Sequence, residues 1–247
     1  MTTSPLPPPA AADGDETKPR PLLDGISIVL PCHDEEANLP AMLMESHAAG
    51  RRVAYEHEVI VVDDGSADRT SAIAEEWPTV RVVSHEHNLG YGAAVRSGLA
   101  AARMPWVFLT DADRQFDLHE LDDFAGRAEH ADAIVGRRAE RADPLYRRLT
   151  ADAWNGLVRT MFAIDVSDVD CAFKLIRRDL LDGIELTSGG AVISTELLAR
   201  LAARGARIEE HEVTHRARLA GRQSGNHPRV VARAFRELFD LRRALRA

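Results

Sequence analysis

Two carboxylates on alternate positions, Asp111 and Asp113, with an amide at Gln115, follow directly on the apolar run Trp106 to Thr110. Hard divalent cations take oxygen ligands, and Mg²⁺ or Mn²⁺ is commonly held by one or two carboxylates together with phosphate oxygens of a substrate. An Asp-x-Asp at a strand end supplies that half-shell. A solvated acidic turn can have the same spelling, and placement after a strand in a repeating pattern is what favours the metal. A second acidic stretch, Asp63-Asp64-Gly65-Ser66-Ala67-Asp68-Arg69-Thr70, lies between another apolar run and a helix. Asp64 and Ser66 suit turn and cap positions. Two adjacent carboxylates at a buried strand end repel each other, however, and a site for a base, ribose hydroxyls or a metal gives them a purpose. A third segment, Asn88-Leu89-Gly90-Tyr91-Gly92, lacks the GxGxxG spacing of a dinucleotide fingerprint and so points away from NAD. Its small residues let a helix approach a nucleotide closely or pack tightly on a sheet.

These segments must be carried by alternating elements. Order is expected to begin at Ile26, where Ile-Ser-Ile-Val-Leu runs into Pro31. Strands are expected over 58–62, 80–84 and 106–110, with helices over 67–77 and 91–102 between them. Near-continuous apolar strands alternating with helices indicate a mostly parallel sheet covered on both faces. Ligands in such sheets sit beyond the carboxyl ends of the strands, where all three segments fall. The second half reads as strands over 133–135, 173–176 and 207–213, helices over 145–162 and 195–203, and an Arg-rich loop over 216–228.

The 247 residues suit one sizeable α/β unit, expected over 25–228, with a nucleotide-binding half (25–115) and an acceptor half (116–228). Residues 1–24, rich in Pro and Ala and without periodicity, read as a disordered leader. Residues 229–247 read as a basic amphipathic helix, able to lie on a membrane surface, pack on the domain or form a homodimer contact. A net charge of -8 argues against nucleic-acid binding. Cys32 and Cys171 lack CxxC spacing, which fits a reducing compartment, and no apolar run reaches membrane-span length. The expected location is therefore cytoplasmic, with peripheral contact at the inner membrane face.

The order of Pro31-Cys-His33-Asp-Glu35, Asp63-Asp64-Gly-Ser66, Asn88-Leu-Gly90, Asp111-Ala-Asp113-Arg-Gln115 and Gly136-Arg137 resembles family 2 glycosyltransferases. Asp111 to Gln115, Arg147-Arg148 with Asn155, Asp168-Val-Asp170-Cys-Ala-Phe173-Lys174 and Arg218-Leu-Ala-Gly221 are most similar to the dolichol-phosphate mannose synthase and polyprenyl-phosphate glycosyltransferase branch. The resemblance implies a GT-A fold, a Rossmann-like, mostly parallel α/β sheet. It implies that Pro31, His33, Glu35, Asp63 and Asp64, with Gly90, Asp111 and Arg218, bind the nucleotide. By the same likeness Asp111, Asp113 and Gln115 would meet Mg²⁺ or Mn²⁺, and Arg137, Arg147 and Arg148 would hold an acceptor phosphate. It also departs from the branch at His33, Asp34, Ala172 and the spacing of residues 221–225.

The expected activity is inverting transfer of a mannose- or glucose-type hexose from a GDP- or UDP-sugar to a polyprenyl or dolichyl phosphate. Asp113 and Arg218 would act on the departing diphosphate. A phosphate acceptor is already ionised, whereas a hydroxyl acceptor needs a base, for which Glu196 is the candidate; His215 could reach the metal or merely satisfy a backbone group. The alternatives are a soluble saccharide or metabolite acceptor, a silent nucleotide-sugar binding protein, and a nucleotidyltransferase that releases pyrophosphate.

Overall fold

The structure, a computed structural model, describes residues 22–139, 145–162, 164–190, 192–218 and 236–243, with 145–153 as backbone only. Most of the expected leader, the arginine loop beyond 218 and the tail at 229–235 and 244–247 lie outside the described residues.

Seven strands form one sheet: β1 (Leu23–Cys32), β2 (Ala54–Asp63), β3 (Val80–Ser84), β4 (Trp106–Thr110), β5 (Ala133–Arg138), β6 (Phe173–Arg177) and β7 (Ile208–Val213). Their order is β3-β2-β1-β4-β6-β5-β7. β1 pairs in parallel with β2 and β4, β2 with β3, and β5 with β7, while β6 runs antiparallel between β4 and β5. The helices are α1 (Leu39–Val53), α2 (Thr70–Glu75), α3 (Tyr91–Ala101), α4 (Leu121–Arg127), α5 (Leu145–Phe162) and α6 (Val192–Ala203). β1 starts at Leu23, so order begins before Ile26 and inside the expected leader.

Alternation along the strands divides the core into two layers. Ile26, Ile28, Leu30, Val59, Val61, Phe108 and Phe173 face one layer, under α1 and α4. Val29, Ile60, Val62, Val107, Leu109 and Ile176 face the other, under α3 and α6. Phe173 anchors the first, with its ring centroid 4.6 Å from that of Phe108 and 4.7 Å from that of Phe124. Residues 236–243 are helical and turn Leu238 and Leu241 into the second layer, while Phe239 stays 55% exposed. That helix therefore uses its apolar face on its own domain. Among the described residues no helix is long and apolar enough to cross a membrane.

The functional consequence of this order lies at β1. The chain leaves it to one side for β2 and β3 and to the other for β4, so a crevice opens between the carboxyl ends of β1 and β4. Register sets Cys32 beside Asp63 and Asp63 beside Ser84, and Asp111 follows the last residue of β4. The acidic segments separated in sequence are thereby gathered at one edge.

Candidate active site

The loops around the crevice are sewn together before any ligand arrives. After β1, the N–H of Asp34 donates to Ser66 Oγ (3.0 Å), that of Glu35 to Thr70 Oγ1 (2.8 Å) and that of Glu36 to Asp68 Oδ2 (3.0 Å). Asp34 Oδ1 accepts in return from the N–H of Ala67 (2.8 Å). Ser66, Asp68 and Thr70 thus hold loops in place. Asp64 does the same for the next loop: it accepts from His85 Nδ1 (2.6 Å) and from the N–H groups of Leu89 (2.9 Å) and Gly90 (2.8 Å). Burial would raise its carboxyl, but those donors outweigh burial and hold it below the ordinary range. Asp64 is buried and spent on this loop, and His33 Nδ1 donates to its carbonyl (3.0 Å). Asp63 is differently placed, with one oxygen receiving the N–H of Ser66 (3.2 Å).

Asp34 (φ 55°) and Arg114 (φ 60°) are the two non-glycine residues in the left-handed region among those described, and both bend loops of this site. The turn at Arg114 aims Asp113 back toward β1. Its guanidinium is fixed to Glu45 of α1 (2.6 Å), and Asp113 Oδ1 accepts from the N–H of Gln115 (3.1 Å).

Glu35, Asp63 and Asp113 are all buried at this edge, with Asp111 beside them. Burial, then the neighbouring charge of Asp113, pushes the Asp111 carboxyl up to about 7, although Tyr91 hydrogen-bonds it and Lys174 and Arg138 oppose the shift. Burial likewise raises Asp113, partly offset by the N–H of Gln115 and by Arg218. Arg218 pairs with Glu35 and stands 3.6 Å from Asp113. It is delivered by a second strip of backbone: Arg216 N–H donates to the Gln115 carbonyl (2.7 Å), Gln115 Nε2 to the Arg216 carbonyl (2.8 Å), and Phe116 bridges His215. The His215 ring packs on Phe116, with centroids 5.3 Å apart.

Asp111 and Asp113 suit a hard divalent cation: both are oxygen donors, both are destabilised as anions by burial, and they lie two residues apart. Among the described residues no three His, Cys, Asp or Glu side chains converge as a closed metal cage. A cation held here would complete its shell with ligand oxygens. Gln115 turns its amide nitrogen to Arg216 and works as a loop fastener.

The remaining expected residues divide. Pro31 closes β1 within the core layer. Arg137 turns away, exposed and paired with Glu212 of β7 (2.5 Å). Its neighbour Arg138 faces inward and makes a two-pronged contact with buried Asp168 (2.7 Å to each oxygen). Sequence reasoning missed Arg138 and also Tyr91, whose position at the start of α3 next to Gly90 was the available signal. Lys174 is fully buried, donating to the Cys171 carbonyl near Asp111. Arg147 and Arg148 lie on α5, and their side chains fall outside the described residues.

Glu196 lies fully buried in α6. It accepts from the N–H groups of Thr187 (2.9 Å) and Ser188 (2.8 Å) and pairs with Arg200 (2.9 Å). The loop it holds then grips α3: Gly92 N–H donates to the Gly189 carbonyl (3.1 Å) and Arg96 to the Ser188 carbonyl (2.7 Å). A Cβ at Gly92 would collide with that Ser188 carbonyl. Glu196 therefore acts on the site through the loop and α3, which carries Tyr91 to Asp111.

Residues 27–184 match the family described as glycosyl transferase family 2. The chain is 33% identical over 174 residues to an undecaprenyl-phosphate 4-deoxy-4-formamido-L-arabinose transferase of Pseudomonas fluorescens, covering 68% of this chain and 51% of that one. It thus spans about half the length of that relative. It is 32% identical over 203 residues to an uncharacterised glycosyltransferase of Mycobacterium bovis, covering 81% of this chain and 88% of that one. Among solved structures, the glucosyl-3-phosphoglycerate synthase of Mycobacterium tuberculosis with Mn²⁺, UDP-glucose and phosphoglyceric acid superposes with a TM-score of 0.67 at 22% identity, covering 87% of this chain and 80% of that one. That likeness establishes the GT-A fold.

Two outcomes follow. The raised Asp111 carboxyl contributes stability that is present below its ordinary value of 3.8 and is lost as pH rises through about 7. In chelator at pH 8, Asp111→Asn should raise the melting temperature by on the order of 3 °C, with the gap narrowing toward pH 5; a variant that melts no higher than wild type at pH 8 contradicts this. Glu196→Ala strands buried N–H groups and Arg200, so it should lose about 3–5 kcal/mol in urea unfolding. A variant of unchanged stability but no activity would restore Glu196 as a base.

Proposed function

The chain belongs to glycosyl transferase family 2 and is a glycosyltransferase, and on that premise we propose that it moves a hexose from a GDP- or UDP-sugar to a polyprenyl phosphate, with inversion and with a divalent cation. The observation that carries this reading is the buried group Glu35, Asp63 and Asp113, with Asp111 beside it, at the crevice next to β1, where Arg218 meets Glu35 and Asp113. Two of these carboxylates, Glu35 and Asp113, meet the guanidinium, and the cluster suits a divalent cation that in turn carries the diphosphate.

When bound, Mg²⁺ or Mn²⁺ would neutralise negative charge on the departing nucleoside diphosphate, with Asp111 and Asp113 as its protein ligands. Arg218 is placed to share that charge once a donor draws it from Glu35. Asp63 and Glu35 flank the nucleotide side, while Asp64 shapes the Leu89–Gly90 loop that the nucleotide meets. Arg138 is better placed than Arg137 to face the transferred sugar or the acceptor phosphate, and Arg147 and Arg148 remain the expected partners on α5.

The tying of Glu196 to its own loop supports a phosphate acceptor. With that carboxylate tied to Thr187, Ser188 and Arg200, an acceptor oxygen that is already ionised suits the site better than a neutral hydroxyl. A relative named for transfer to undecaprenyl phosphate supports a lipid phosphate. The second reading, a soluble phosphorylated acceptor, draws on the synthase crystallised with phosphoglyceric acid. Action at the cytoplasmic membrane face, with Arg236, Phe239 and Arg243 outward on the last helix, belongs to the first reading.

Purified protein offered UDP-glucose or GDP-mannose with Mn²⁺, and undecaprenyl phosphate or soluble phosphorylated acceptors side by side, should release a nucleoside diphosphate with the lipid. Asp113→Ala should lower turnover by about 10³-fold or more. Release of pyrophosphate would identify a nucleotidyltransferase, and nucleotide binding without transfer or hydrolysis a silent binding protein.

A further inference from the structure

A second cleft, of about 520 Å³, opens at the opposite end of the sheet. It is walled by Met44, His47 and Arg51 of α1, His57 near the start of β2, and Trp77 and Thr79 ahead of β3. His57 precedes Asp63 by six strand residues, which sets the cleft about 20 Å from the carboxylates. α1 comes this near β2 because residue 50 is glycine; a Cβ there would lie 2.7 Å from the His57 ring.

The two imidazoles meet, with His47 Nδ1 3.1 Å from His57 Nε2, and Thr79 Oγ1 lies 3.1 Å from His47 Nε2. The His47 ring stacks on Trp77 at 5.8 Å and 9°. No carboxylate lines the cleft, in a chain with 39 acidic residues against 31 Lys and Arg. Glu76, next to Trp77, is paired with Arg69 (3.6 Å), and among the described residues Arg51 has no acidic partner. Burial first holds both imidazoles below their ordinary value, followed at His47 by the charge of His57 and then of Arg51, and at His57 by that of Arg51. Cationic capacity has been collected here without a counter-charge, against an apolar wall of Met44 and Trp77.

The geometry points to a binding site for a small organic phosphate monoester, with Arg51 and the His47–His57 pair taking the phosphate and Met44 with Trp77 the organic group. A guanidinium fork and imidazolium N–H groups match a tetrahedral oxyanion, and once both rings carry protons the His47 Nδ1–His57 Nε2 contact opens and frees those N–H groups for the phosphate. The anion also offsets the burial and the neighbouring positive charge that keep the imidazoles neutral, so binding draws protons onto them.

The test is histidine-ring NMR of the full chain, titrated with phenyl phosphate or inorganic phosphate at ionic strength fixed with sodium chloride. Saturable shifts are expected at His47 and His57, with their protonation midpoints raised by about half a pH unit or more. Phenyl phosphate should bind more tightly than inorganic phosphate; the reverse order overturns the organic half of the assignment. Arg51→Gln, a change at an exposed position remote from Asp111, should weaken saturation about tenfold. Responses at His47 and His57 no different from those in chloride, saturation confined to His33 and His85, or an unchanged curve in Arg51→Gln would each overturn the site. These readings are local to the cleft and stand or fall independently of glycosyl transfer.

Discussion

Like charges crowded at a buried edge are the constraint around which this structure is arranged. Glu35, Asp63 and Asp113 are each nearly sealed from solvent, and Asp111 beside them is pushed up to about 7 by burial and by its neighbour. Such a group is unfavourable by itself, and a positive charge met there offsets the cost. Arg218 supplies part of that charge from the far end of the domain. The rest of the counter-charge is what the proposed divalent cation would bring.

Much of the surrounding polar sequence serves to hold that group still. The Ser66–Thr70 segment fastens the Glu35 loop, Asp64 fastens the Gly90 loop, and Gln115 fastens the strip that carries Arg218. Glu196 fastens the loop on which α3 rests. Each is a carboxylate, hydroxyl or amide whose hydrogen bonds are satisfied by backbone, which is how irregular loops avoid stranded polar groups. Positive φ at Asp34 and Arg114 shows where these fastenings impose an unfavourable bend.

The parallel half of the sheet was legible because Ile26–Leu30, Val59–Val62 and Trp106–Thr110 are apolar runs that end in acidic turns. α1 was not assigned from sequence: its polar residues, His47 and Gly50 blur the helical stripe, and its packing on His57 of β2 is set by the fold. The antiparallel course of β6 was equally hidden, because Phe173–Arg177 reads the same in either direction and only its neighbours β4 and β5 decide. The choice between Arg137 and Arg138 turned on one residue of register, with Glu212 opposite Arg137 drawing it outward. Glu196 and Asp64 carried the letters of chemistry, yet each also accepts from two backbone N–H groups that no local pattern displays.

The central claim is that the Asp111–Asp113 edge takes a nucleoside diphosphate together with a divalent cation. Calorimetric titration of UDP and of GDP into the protein, with Mn²⁺ and with chelator, addresses it most directly. One of the two nucleotides should bind in the presence of Mn²⁺ and lose most of its affinity in chelator. Equal binding with and without the cation, or no binding of either nucleotide under both conditions, would contradict it.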